Sequence, residues 1–94
     1  MEEITSHGFD EHVRKSLLHG GHDFTTEKLD RVRSIFDHAL VASKHTTLKK
    51  EHFDDTLRHM EEHPEWKRLT ENQREAFVST MRNNLKIKEP DTAA

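Results

Sequence analysis

One proline, Pro64, standing between two amphipathic stretches, constrains the fold of this chain more than any other residue. It has no N–H to donate, and its ring pushes His63 out of the helical region, so a helix running into it must stop. Upstream, in TLKKEHFDDTLRHMEEH, Phe53, Leu57 and Met60 fall at i, i+4 and i+7, one stripe of a helix that Thr47 can cap. Downstream, Glu65 to Leu69 is long enough for about one 3-10 or α turn that points Trp66 and Leu69 to one side. Thr70-Glu71-Asn72-Gln73 then reads as a capping box, and Phe77, Val78, Met81 and Leu85 continue at helical spacing. Two amphipathic helices joined by an aromatic elbow must bury their stripes on each other and on a third element.

The earlier half supplies that element. Phe9, Val13 and Leu17 lie at i, i+4 and i+8, with Asp10 as a candidate N-cap, and Gly20-Gly21 ends the helix. Thr25 caps the next one, where Phe24 can pack on Leu29 as a staple. Leu29, Val32, Phe36 and Ala39 trace its stripe, and Ile35 and Leu40 widen it to the breadth of a central helix. No strand pattern appears. The chain is therefore expected to be all-α: a single helical domain over residues 1–94, built as a small bundle of four helices at about 9–19, 26–44, 48–63 and 71–87. A short 3-10 or helical turn at 65–69 precedes the last helix, and residues 1–8 and 89–94 are expected to be flexible. The expected core draws on Val13, Leu17, Leu29, Val32, Phe36, Leu40, Phe53, Leu57, Met60, Leu69, Phe77, Met81 and Leu85.

Composition narrows the function classes. Only 31% of residues are hydrophobic and 35% are charged, which predicts a lean core. The absence of cysteine excludes disulfides and thiolate metal sites. No apolar run approaches the roughly 20 residues that span a bilayer, and the start Met1-Glu2-Glu3 is acidic where a signal peptide is basic. A soluble, intracellular protein with no membrane association is the expectation. Lys plus Arg number 15 against 18 Asp plus Glu, so there is no large positive field to gather phosphates. Basic residues do gather locally, as Lys44, Lys49 and Lys50 and as Arg82, Lys86 and Lys88. Nucleic-acid binding through them is the second reading, opposed by Glu51, Asp54, Asp55, Glu61 and Glu62 on the intervening helix.

The nine histidines add positive charge as pH falls through about 6.5, so association and solubility should follow pH. His59-Met60-Glu61-Glu62-His63 has the His-x-x-Glu-His spacing of some zinc peptidases, yet Pro64 sets His63 at a helix end and no cleft wall is evident. No cofactor is expected. The nearest approach to a metal set, and the third reading, is His52, His59 and His63 on one helical face, where histidines also serve as half-buried boundary residues. His38, His45, His52 and His59 recur every seven residues, but the turn near Thr46 interrupts the helix, and the repeat is read as chance.

Trp66 is the only tryptophan. On its short turn it either plugs the end of the core or, beside Lys67 and Arg68, forms a partly exposed anchor. No nucleophile–base pair, phosphate loop or carboxylate pair stands in a recognisable setting. The leading reading is a non-enzymatic interaction or regulatory module, an adaptor that binds a protein partner through a helical face or the Trp66 elbow, with Lys49 and Lys50 as further contacts. Pairing into a homodimer would bury apolar surface left over from so lean a core.

Phe36, Phe53, Pro64, Trp66, Leu69, Arg74 and Phe77 together resemble the pattern of the FF domain, an all-helical module of splicing and transcription-elongation factors. The likeness covers roughly residues 28–86 and leaves the first helix unexplained. It departs at Phe53, where tryptophan is usual, and at His63-Pro64-Glu65, where Asp-Pro-Arg is typical. The resemblance implies two helices, a 3-10 turn, a final helix, and binding of phosphorylated or acidic peptides.

Overall fold

A computed structural model describes residues 2–20 and 24–87. β1 (Glu3–Ile4) leads into α1, which runs as a short α turn (Ser6–Gly8), a π-helical stretch (Phe9–Arg14) and a second α segment (Lys15–His19). Then come α2 (Thr26–Ala42), β2 (Leu48–Lys49), a 3-10 turn (Lys50–His52), α3 (Phe53–Glu62), a second 3-10 turn (Pro64–Arg68) and α4 (Glu71–Leu85). The chain is thus an all-α bundle of four helices with a 3-10 turn before the last, to which one two-residue antiparallel ladder is added.

That ladder overturns two expectations. Ile4 pairs with Leu48 and Glu3 with Lys49, and both Ile4 and Leu48 are fully buried. Residues 3–8, expected as a flexible end, carry β1 and the first turn of α1, because burial of the apolar Ile4 outweighs the polarity of its neighbours. The helix expected from residue 48 begins as a 3-10 turn at Lys50 and becomes α only at Phe53. Thr47 does not cap it; its hydroxyl donates to the Glu3 carboxylate at 2.9 Å.

α1 also starts early. Thr5 is its N-cap, accepting from the Gly8 N–H at 2.9 Å, and Gly8 lies inside the helix. Asp10, the expected cap, instead accepts from Arg33 of α2, which also reaches Asp37. The Asp10 hydrogen bond holds the Arg33 guanidinium charged even more firmly than usual; partial burial opposes this and Asp37 adds to it. The wider π turn keeps residues four apart on one face, and Phe9, Val13 and Leu17 are all buried.

α2 begins where expected, with Thr25 capping the Lys28 N–H at 3.2 Å, and ends two residues early at Ala42. Lys44 then takes a positive φ of 62°, reversing the chain. α3 and the turn after it fold back along α2: His45 lies against His52, Ser43 near Thr56, His38 against His63, and Arg31 beside Glu65.

Thr70 and Gln73 form the expected capping box at the start of α4. The helix stops at Leu85, short of the expected residue 87, because Lys86 adopts φ 57° and ψ 37°. This is the left-handed conformation that suits glycine and costs other residues roughly 1–2 kcal/mol. Lys86→Gly is expected to raise the unfolding free energy by about 1 kcal/mol, read as a higher denaturant midpoint with unchanged slope. The expected tail at 89–94 lies outside the described residues.

Of the expected core, every residue is buried except Leu57, which is half-buried against it. Ile4, Phe9, Phe24, Ile35, Ala39, Leu48 and Trp66 complete it. Phe77 sits at its centre, 5.9 Å from the Phe9 ring and 6.0 Å from Trp66, while Phe9 packs at a tilt of 35° on Phe36, with centroids 4.6 Å apart.

Candidate functional site

The elbow between α3 and α4 is built from within. Pro64 forces His63 into an extended conformation, φ −69° and ψ 135°, which frees the imidazole to cap the turn: its Nδ1 accepts the Glu65 N–H at 3.0 Å. The Trp66 N–H donates to the His63 carbonyl at 3.0 Å and the Leu69 N–H to the Trp66 carbonyl at 3.2 Å. Trp66 is only 7% exposed. It is a core plug against Phe77, so the alternative of a partly exposed aromatic anchor does not describe it. The residues beside it point the other way, and Pro64, Lys67 and Arg68 are exposed.

Glu65 ties this outer face together. Its Oε2 lies 3.6 Å from Arg31 of α2 and 3.8 Å from Arg68, and Arg31 also binds Glu27 one turn back at 2.8 Å. The cationic elbow is thus braced through one carboxylate to the central helix. Sequence shows Glu27 and Arg31 as an i, i+4 pair, but nothing local to Glu65 says that Arg31 is its partner.

Lys49 and Lys50 are exposed at a different place. With Lys86 and Leu85 they line an open cleft shared with Glu2, Glu3 and Glu51, and Lys49 Nζ lies 4.0 Å from Glu3. The two lysine groups that sequence separates do meet here, on ground where glutamates match them in number. Arg82 is turned away, its guanidinium 5.4 Å above the Phe53 ring.

His52, His59 and His63 do not assemble as a metal set. His52 stacks on His45 with ring centroids 3.6 Å apart, His63 meets His38 edge-on at 4.9 Å, and His59 Nδ1 lies 3.9 Å from Glu62. Among the described residues no three histidine or carboxylate side chains converge to hold a metal ion. The seven-residue histidine repeat has a physical counterpart after all: the turn that interrupts it folds His52 onto His45. Among the described residues no helix is long and apolar enough to cross a membrane. No family model, curated protein or solved structure matches the chain.

Proposed function

We propose that this chain is a non-enzymatic, intracellular module that binds an acidic segment of a protein partner through the outer face of the Pro64–Arg68 elbow. The observation that carries the reading is the division of that turn: Trp66 and Leu69 buried beneath it, Lys67 and Arg68 exposed above it. A cationic turn already fixed by a buried ring and a histidine cap loses little conformational freedom on binding, so more of the contact energy appears as affinity. Arginine flanked by a well-packed surface is also a favoured hot-spot residue. The resemblance to the FF domain supports the same class of partner. The cleft at Lys49 and Lys50 is the weaker candidate, since Glu2, Glu3 and Glu51 offset its cations for any phosphate-bearing ligand.

The test is affinity capture from the source cell with the purified chain, beside a Lys67→Glu/Arg68→Glu copy and a nuclease-treated control. Both substituted residues are exposed, and the Arg31–Glu65 pair remains when the Arg68–Glu65 pair is lost, so the double variant should melt within about 1 kcal/mol of the wild type. Capture of a protein by the wild type that weakens at least about tenfold in the double variant is the expected result. Capture that survives the charge reversal, or that vanishes with nuclease, overturns the reading.

A further inference from the structure

The turn between α2 and α3 carries a contradiction in its hydrogen bonding. His52 Nε2 lies 3.0 Å from the Lys49 N–H, which is aimed at it, and 2.9 Å from the Thr47 carbonyl. One imidazole nitrogen either offers a lone pair or carries a proton. Unprotonated, Nε2 serves the Lys49 donor and faces the Thr47 oxygen with a second acceptor; protonated, it serves Thr47 and turns an N–H against an N–H. Against the other side of this ring lies His45, parallel to within 4° at 3.6 Å.

We propose that the His45–His52 stack is a proton-operated latch that decides which backbone group of the α2–α3 turn is held, Lys49 N–H or Thr47 C=O. In its basic form, with the single ring proton on Nδ1, His52 caps the 3-10 turn through Lys49, and two neutral rings stack. In its acidic form His52 lets go of Lys49 and takes Thr47, and a proton on each ring sets like charges face to face, which parts them. Both backbone groups belong to residues whose side chains reach Glu3 of β1, the Thr47 hydroxyl at 2.9 Å and the Lys49 ammonium at 4.0 Å. The exchange therefore passes to the ladder. The segments that meet at this turn carry charges of both signs: Lys44 after α2, Glu2 and Glu3 at β1, Lys49 of β2, Lys50 and Glu51 of the 3-10 turn, and Asp55 in the first turn of α3. The latch is independent of the partner reading, since it lies at the opposite end of α3 from the elbow.

The experiment is a proton and nitrogen NMR titration of the whole chain between about pH 8 and pH 5, spanning the imidazole range. Three things are expected on acidification while the Phe77 and Met81 amides stay native: the Lys49 amide proton moves upfield, its exchange, corrected for intrinsic pH dependence, speeds up about tenfold, and cross-relaxation between the His45 and His52 rings disappears. His45→Phe, which keeps the stack without a second charge, should retain ring-to-ring contact at the acid end. His52→Phe should abolish the Lys49 response. A Lys49 amide that does not move, or rings that stay in contact at about pH 5 in the wild type, overturns the proposal without recourse to either variant.

Discussion

Phe77→Ala is expected to lower the unfolding free energy by about 3–5 kcal/mol in a denaturant melt. The ring is fully buried and touches both Phe9 and Trp66, so its removal opens a cavity where α1, α4 and the elbow meet. Those three elements cannot close the gap together, since each is held by its own ends: Thr5 caps α1, Thr70 caps α4 and Pro64 fixes the turn. A domain of this size has about 5–15 kcal/mol in all, and the variant should be close to half unfolded under mild warming. A loss below about 1 kcal/mol would contradict the assigned core.

Trp66→Ala is expected to cost nearly as much, about 3–5 kcal/mol, and to lower the melting temperature by more than about 10 °C. The indole covers the end of the core and its own backbone holds the turn at both sides. Because Trp66 and Phe77 share a contact, the double variant should cost less than the two losses added, the mark of a common cavity. This effect also separates two reasons for a failed interaction. Loss of partner capture with Trp66→Ala follows from a collapsed elbow, whereas loss with Lys67→Glu/Arg68→Glu, in a chain that melts normally, isolates the contact itself. A Trp66→Ala chain that melts with the wild type would mean that the ring is not the plug.

Most of the architecture could be read because it is written locally. Helical spacing marks α2 and α4, Pro64 marks the elbow, and the Thr70–Gln73 box marks the start of the last helix to the residue. What escaped the sequence is non-local. Ile4 stands alone among polar residues and has no periodicity to betray it; only Leu48, a pairing partner far along the chain, makes it a core residue. For the same reason Leu48 and Thr47 look like a helix start when one is a strand residue and the other a clasp on Glu3. Phe9 was visible on its stripe, but the π turn that aligns it with Val13 and Leu17 has no sequence signature. At the candidate site, Lys67 and Arg68 could be named while the inward turn of Trp66 between them and the core remained one of two alternatives.

The clasp between Glu3 and Thr47 spans 44 residues, and that span bears on the order of events in folding. The hairpin of α2 and α3 turns over a few residues at Lys44, so its contacts close small loops, whereas docking β1 on β2 must first gather the whole of α1 and α2. Local contacts pay their closure entropy early and distant ones late. The α2–α3 hairpin is then in place before the clasp closes on it, so breaking the clasp is expected to speed unfolding more than it slows folding.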